Sequence, residues 1–434
     1  MSGLARLLVT AASQGSLTAS WDAIAATASK WAAARQPRSD DVPLTLYRDA
    51  NAWCPFCHRV FYFMEQKGLR YHTERIHLGG DPREPPKQTS YLREVAPRGN
   101  VPALRIRDEV ILESLDILRV LEREFPDEHA THTDEDRALE DRLVHASGAF
   151  DTDCDDWLHN VEPRAEAALQ ATAHEKLAWL EDALGARPGP FFLGERAGVA
   201  DAAFVGFLTR THLNYAYFKS LDVASPASGY PRLAAWLQAV GETPGGLATA
   251  QEAGYEQRIY QAHPERRAAA EPCMALHPTR LGVGEPREHC PPRPLAAAAL
   301  QAGSGPALEA AWQLHERREA LGRFLLRKRR EAAGAAGSPP RPHWKRNSHR
   351  APEPPPPAVE EPAALAAVER DLLALASVLT AQCTPAQGAA LAGGVEALQL
   401  GAVASLGGLV GTPRDMSAAA AAELRAALAE MLHS

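Results

Sequence analysis

Two cysteines three residues apart stand in the run Trp53-Cys54-Pro55-Phe56-Cys57-His58-Arg59. Leu44, Leu46 and Tyr47 read as a strand just ahead of them, and Pro55 to Lys67 reads as a helix stopped by Gly68. Pro55 suits the first helical position, where the N–H it lacks would have no intrahelical partner. Cys54 is thereby placed at or near the N-cap, facing unpaired N–H groups and the positive end of the helix dipole. Both favour the thiolate, the form of cysteine that attacks. Cys57 falls one turn on, on the same face, placed to resolve a mixed disulfide formed on Cys54. The residues alone leave two other roles open. The pair can be two small buried side chains, or half of a zinc site, which needs two further ligands and finds no second Cys-x-x-Cys in the chain.

Two more segments converge on this thiol. Asn100-Val101-Pro102-Ala103-Leu104 puts a proline at the start of a strand, where its missing donor is tolerated and a cis bond is accommodated. The Val101 backbone is then open to pairing with an extended peptide. Glu113-Ser114 opens a helix with Ser114 as N-cap, and a helix N-terminus with a free hydroxyl is a ready carboxylate site as well as an ordinary cap. Together they describe a thiol beside a slot for a short anionic peptide.

The elements that hold these residues run strand, helix, strand, helix, strand, strand, helix between Pro43 and Pro126, the order of a small α/β domain. Tyr71 to Leu78 is the second strand and Thr89 to Val95 a short helical turn. Val101–Ile106 and Val110–Leu112 form a hairpin around Arg107-Asp108-Glu109, and the last helix runs from Ser114 to just before Pro126. From Asp134 to about Gln261 only helical patterns occur, with Trp157, Trp179 and Trp236 as core anchors. The turn Gly194–Asp201 leads into an apolar helix, Ala200–Leu208. Beyond Glu265 the composition turns Ala- and Pro-rich. Helical periodicity returns at Ala298–Ala332, Pro362–Leu379 and Ala418–Leu432, around a stiff linker of Pro352 and Pro354–Pro357.

These features resemble the glutathione transferase superfamily over roughly residues 43 to 260. Cys54-Pro55-Phe56-Cys57, Val101-Pro102 and Glu113-Ser114 follow in the family's order and about its spacing, and Gly194 through Asp201 stands where the family places a helix-capping box. Within the family the likeness is to cysteine-type members of the omega, lambda and dehydroascorbate reductase classes. The tract from Tyr47-Arg48-Asp49 through Cys57 is most similar to cyanobacterial and plastid-lineage proteins. The resemblance implies an α/β thioredoxin-like domain over residues 43–126 and an all-α transferase domain over 133–261. An N-terminal extension (1–42) precedes them and a helical, partly disordered extension (266–434) follows.

It implies Cys54 as nucleophile, while Cys57 leaves both a monothiol and a dithiol cycle open. Glutathione, the co-substrate, would rest on Phe56, Val101 and a cis Pro102. Glu113 and Ser114 would hold its γ-glutamyl end and Lys87 its glycyl carboxylate. The implied activity is a glutathione-dependent thiol transferase or oxidoreductase, acting on disulfides, glutathionylated thiols or dehydroascorbate. Its partners would be glutathione and a small disulfide or electrophilic substrate, in a homodimer, with no metal, membrane or nucleic acid. Two departures stand out. Most cysteine-type members carry Ala or Ser where Cys57 stands, and the capping box has Gly198 in place of Ser or Thr while keeping Asp201. The alternative to an enzyme is a binding or regulatory module that keeps the glutathione slot and works through its C-terminal extension. A third reading is a dithiol partner that passes electrons to a client protein.

Composition bounds these readings. A chain of 434 residues with 45% hydrophobic and 23% charged content is neither collagen-like nor wholly disordered. A net charge of −8 argues against sequence-independent nucleic-acid binding, which needs a basic surface. No stretch approaches the roughly 18 uninterrupted apolar residues of a membrane span. Six cysteines are too few for a disulfide framework.

The first 42 residues are Arg-containing, Ser-rich and acid-poor, the pattern of a transit peptide for the chloroplast or another organelle; otherwise Ser20 caps an ordinary helix to about Ala34 and the protein is cytoplasmic. Four weaker groups remain. Cys273, His277, His289 and Cys290 are spaced irregularly for zinc. Arg327–Arg330 and the basic residues near Trp344 read as a solvated, partly disordered linker or an anion patch. Trp157, Asn214, Tyr215 and Tyr217 are either core or lining of a second-substrate pocket. Cys154, among Asp151, Asp153, Asp155 and Asp156, should be inert.

Overall fold

The computed structural model describes residues 19–35, 37, 41–78, 87–127, 133–251, 300–335, 362–406, 410 and 415–433. The described residues from 35 to 251, with 415–418, form one compact unit, and those at 19–34, 300–410 and 419–433 form another. The first helix, α1 (Trp21–Arg35), starts where Ser20 Oγ accepts the Ala23 N–H at 3.2 Å. Its buried stripe is Ile24, Ala28 and Ala32, each four residues on.

The first of these units begins with the sheet. Strand β1 (Leu44–Asp49) leads into α2 (Pro55–Gln66), then β2 (His72–Ile76), α3 (Thr89–Glu94), β3 (Ala103–Ile106), β4 (Glu109–Ile111) and α4 (Ser114–Glu124). Strand order is β2-β1-β3-β4. Strand β1 pairs parallel with β2, through Leu46 opposite Thr73, and antiparallel with β3, through Leu46 opposite Leu104. The parallel pair needs the α2 crossover, while β3 and β4 are joined directly through Arg107, which takes a positive φ of 52°.

The strands are shorter than the apolar runs suggest. Strand β2 starts at His72 instead of Tyr71 and stops at Ile76, and β3 starts only at Ala103, because Pro102 has no N–H to give the ladder. Helix α4 also differs at its start: Ser114 is its first helical residue, and Glu113, at φ 34°, holds the cap position. Leu44, Leu46, Leu104 and Ile106 from the sheet meet Val60, Tyr62 and Phe63 of α2 and Ile117, Leu118 and Leu121 of α4 in one core.

The same core continues into helices α5 (Asp134–Leu158), α6 (Glu166–Leu184), α7 (Val199–Phe218), α8 (Pro231–Glu242) and α9 (Pro244–Thr249). Trp157 and Trp236 are fully buried, as their spacing predicts, and truncating either to Ala would cost about 3–5 kcal/mol. Trp179 is not an anchor: it is 42% exposed, because α6 buries the face of Ala173, Leu177, Leu180 and Leu184 and turns position 179 outward. Helix α7 runs ten residues past Leu208, through Arg210 and Lys219-adjacent Phe218, because its polar positions also find buried partners. One glycine is required here. A Cβ on Gly206 would lie 2.1 Å from the Pro55 carbonyl oxygen, so only glycine lets α7 lie against the start of α2.

The second unit is helical: α1 with α10 (Gly305–Ala335), α11 (Pro362–Leu379), α12 (Pro385–Leu391), α13 (Val395–Leu400) and α14 (Ala418–Leu432). Gln382 donates to the Ala23 carbonyl at 3.1 Å, tying α1 to the turn after α11. Arg327–Arg330 lie within α10 rather than in a linker. The possible zinc ligands from Cys273 to Cys290, the proline linker, the basic residues near Trp344 and residues 1–18 lie outside the described residues.

Candidate functional site

Cys54 is the N-cap of α2, as the proline at N1 requires. Its Sγ accepts the Cys57 N–H at 3.4 Å and lies 3.7 Å from the Val101 carbonyl oxygen. A hydrogen bond from the Cys57 side chain outweighs burial and the nearby Asp49 charge and lowers the Cys54 pKa, with Arg210 adding a favourable charge. Cys57 is 2% exposed and takes the opposite shift. Burial, and then donation to Cys54, raise its thiol well above the ordinary value. One sulfur is prepared as thiolate, the other held as thiol.

Asp49, at the end of β1, secures the loop between them. Its Oδ2 accepts the N–H of Trp53 at 2.5 Å and of Cys54 at 3.3 Å, and its own N–H donates to Cys57 Sγ at 3.4 Å. Ala52 in this loop is held at φ 57°, a conformation uncommon for a residue with a side chain.

Arg210 of α7 grips the loop from the other side. It donates to the carbonyls of Ala52 and Trp53, both at 3.2 Å, and to Nδ1 of His58 at 3.0 Å. Since an arginine only donates, His58 Nδ1 is the acceptor, and its Nε2–H faces Thr249 Oγ1 at 2.9 Å. Thr249 passes the chain on to the Gly245 carbonyl at 2.7 Å. Burial, reinforced by Arg210, pushes the His58 pKa well below its ordinary value, so it is a neutral strut and not an acid or base.

Of the residues predicted to form a peptide slot, Val101 lies against Cys54. The Val101–Pro102 bond is cis, and the β1–β3 ladder ends at Ala103, leaving Val101 beyond it. Lys87 donates to the Gly99 carbonyl at 2.6 Å, which sets it on the loop that leads into Val101. Ser114 is buried and its Oγ accepts from Arg59 at 3.5 Å, while Glu113 is exposed at the head of α4. Phe56 is exposed, its ring edge-on to Phe207 with centroids 5.0 Å apart.

Behind Ser114, Arg59 is 2% exposed. It donates to the Ala203 carbonyl at 2.6 Å and forms an ion pair with Asp151. Burial raises the Asp151 carboxyl above its ordinary value, and the Arg59 charge opposes that shift.

The sequence pattern missed Asp49, Arg59, Asp151 and Arg210. The available signal was a single arginine, Arg210, in a helical stretch from Val199 to Phe218 that otherwise carries only one Asp/Glu/Lys/Arg residue, Asp201, and a carboxylate five residues ahead of Cys54. The aromatic group it weighed as pocket lining is core instead: Trp157 and Tyr215 are fully buried and Asn214 is nearly so, while the Tyr217 side chain lies outside the described residues. Cys154 is buried, and burial first, then the carboxylates of Asp151, Asp153 and Asp155, raise its thiol to about 12. The capping turn is half complete: Asp201 Oδ2 accepts the Gly198 N–H at 2.8 Å, but Gly198 offers nothing in return. Among the described residues no cluster of three or more His, Cys, Asp or Glu is placed to hold a metal, and no helix is long and apolar enough to cross a membrane.

Comparisons with known proteins follow the same lines. Residues 53–124 match the family model "Glutathione S-transferase, N-terminal domain" and residues 156–239 the model "Glutathione S-transferase, C-terminal domain". The chain is 30% identical over 207 residues to glutathione S-transferase L3 of Arabidopsis thaliana, covering 45% of this chain and 78% of that one. To the chloroplastic glutathione S-transferase L2 of the same plant it is 27% identical over 201 residues, 46% of this chain and 64% of the relative. Among solved structures, glutathione transferase Omega 3C of Trametes versicolor aligns at 23% identity and a TM-score of 0.42, over 56% of this chain and 97% of that one. The chain therefore belongs to the glutathione S-transferase superfamily, and to its lambda and dehydroascorbate reductase type.

Proposed function

We propose that the protein is a glutathione-dependent thiol transferase that reduces small disulfides, glutathionylated thiols or dehydroascorbate through a mixed disulfide on Cys54. The observation that carries this reading is the Cys54 sulfur itself, half-buried at a helix N-terminus and hydrogen-bonded by the Cys57 N–H and thiol. A cysteine there stabilises its own thiolate and attacks sulfur, whereas a hydroxyl at that position would only stabilise the thiolate of glutathione. Cys54 attacks a glutathionylated substrate, the substrate thiolate leaves, and glutathione stays on Cys54. A second glutathione or Cys57 then frees it. No metal takes part in these steps.

Each slot residue has a chemical role in this reading. The Val101 backbone pairs with the cysteinyl unit of glutathione beside Pro102, and Phe56 covers one wall. Ser114 and the N–H groups of α4, with Glu113, receive the γ-glutamyl end, and Lys87 receives the glycyl carboxylate. The organelle reading of the N-terminus, with a chloroplast as the compartment, and a homodimer belong to the same proposal. The test is turnover of a small glutathione mixed disulfide by native protein and by Cys54→Ser. Loss of about a hundredfold or more is expected, and near-native turnover in the variant would overturn the mechanism.

A further inference from the structure

Arg48, Asp49 and Gln251 line one hollow beside the cysteine pair, and each carries a side-chain atom buried without a partner: Arg48 Nε, Asp49 Oδ1 and Gln251 Oε1. Cys54, Cys57 and His58 share its wall, and its volume is about 10 Å³, close to the room one water needs. Buried polar atoms in folded proteins find a partner in protein or in ordered water. A water has two protons to give and two lone pairs to fill. Asp49 Oδ1 and Gln251 Oε1 can only accept from it, and Arg48 Nε can only donate to it. The fourth position is open to the thiol of Cys57, also on the wall, once Cys54 carries glutathione and no longer accepts the Cys57 proton.

We propose that this hollow holds a single water that carries the Cys57 proton to Asp49 when Cys57 resolves a mixed disulfide, making Arg48, Asp49 and Gln251 positioning residues of the second half-reaction. The inference rests on the Cys54 reading above. Cys57 needs such a route because burial keeps it protonated. Asp49 is suited to it because one oxygen is committed to the loop N–H groups and the other is not. In the step, the Cys57 proton passes through the water to Asp49 Oδ1. The Cys57 sulfur attacks the Cys54 sulfur, the bond from Cys54 to glutathione breaks, and glutathione leaves as the thiolate with the electron pair. One disulfide replaces another, so no outside oxidant is consumed. Two further glutathione thiols return the Cys54–Cys57 disulfide to the dithiol and leave as glutathione disulfide.

The charged and titratable groups around Cys57 are Arg48, Asp49, Cys54 and His58 on its own strand and helix, Arg210 on α7 and Tyr91 on α3. Asp49 carries the discriminating sign. Its charge raises both thiols. If it acted only as a neighbouring charge, Asp49→Asn would ease ionisation of Cys57 and speed resolution. As proton acceptor its loss must slow resolution, while Asn still accepts the Trp53 and Cys54 N–H groups.

The experiment loads Cys54 of the full chain with glutathione and follows glutathione release in the absence of added thiol. Asp49→Asn is expected to slow release about a hundredfold, the low end of general-base effects, while the Cys54 alkylation midpoint moves to lower pH. Gln251→Leu removes one acceptor from the water together with the hydrogen bond that Gln251 gives the Ala52 carbonyl at 3.0 Å, and is expected to slow release about fivefold while the Cys54 alkylation midpoint, which reads the loop, stays in place. Release at or above the native rate in both variants overturns the proposal. If the native protein takes no glutathione on Cys54, the thiol-transferase reading itself falls and this step with it.

Discussion

At the scale of single residues, the two sulfurs differ in what surrounds them. Cys54 takes hydrogen bonds from the Cys57 N–H and thiol, and Cys57 lies deeper, so the same spacing yields one thiolate and one thiol. The consequence is a pH profile. Alkylation needs the thiolate, whose fraction grows as pH rises through the pKa, so a lowered pKa moves the whole limb to lower pH. Cys54 is expected to be alkylated with a midpoint below the ordinary cysteine value, and Cys57→Ala, which removes the donated hydrogen bond, should move that midpoint up. Iodoacetamide rates against pH measure both. A native midpoint at or above the ordinary value would remove the electrostatic basis for Cys54 as nucleophile.

Local features of this site were legible in the sequence because their causes are local: Pro55 fixes the cap at Cys54, and Pro102 and Ser114 mark a strand start and a helix start. The supporting groups were not, because their partners are far along the chain. Arg59 meets Asp151 at a separation of 92 residues, Arg210 meets the Trp53 carbonyl at 157, and Gln251 meets the Ala52 carbonyl at 199.

At the scale of elements, the site depends on how closely α7 lies along α2. Gly206 permits the contact, and Arg210, one turn further on, uses it to hold the carbonyls of Ala52 and Trp53. Gly206→Ala forces its methyl against the Pro55 carbonyl, so the two helices must part. A loss of about 1–3 kcal/mol in urea unfolding is expected, together with a fall in turnover, since the loop that carries Cys54 moves with α2. Native stability with native turnover would show that the contact does not position the site.

Apolar periodicity predicted α7 well at its start but stopped it at Leu208, because Arg210, Asn214 and Lys219 break the pattern. All three are buried, and two of them have polar or charged partners: Arg210 holds the Ala52 and Trp53 carbonyls, and Lys219 donates to Glu166 at 2.7 Å over the Trp157 ring. Trp179 fails in the opposite way. A large aromatic in a helical run reads as core, but its face is set by neighbours three and four residues away, and these place it outside.

At the scale of the whole molecule, every group in the proposed chemistry lies from Arg48 to Gln251, within one compact unit. The second unit joins α1 to the C-terminal helices, a union of chain ends that no local pattern foretells. Beyond Glu265, the helices that periodicity predicts at Pro362–Leu379 and Ala418–Leu432 form over those residues: α11 buries Leu372, Leu375 and Leu379, and α14 buries Leu424 and Leu428. A fragment of residues 35–265 therefore keeps the complete thiol site, and its kcat is expected to stay within about twofold of the full chain, as for a domain with its own core. A folded fragment with little turnover would favour the module that works through its extension.

The most direct measurement is the mass of the protein after exposure to glutathione disulfide, followed by peptide mapping and repeated with Cys54→Ser. One glutathione on Cys54, absent from the variant and removed by added glutathione, is the expected result. An unmodified Cys54, or the same adduct on another cysteine in both proteins, would contradict the assignment of Cys54 as the nucleophile.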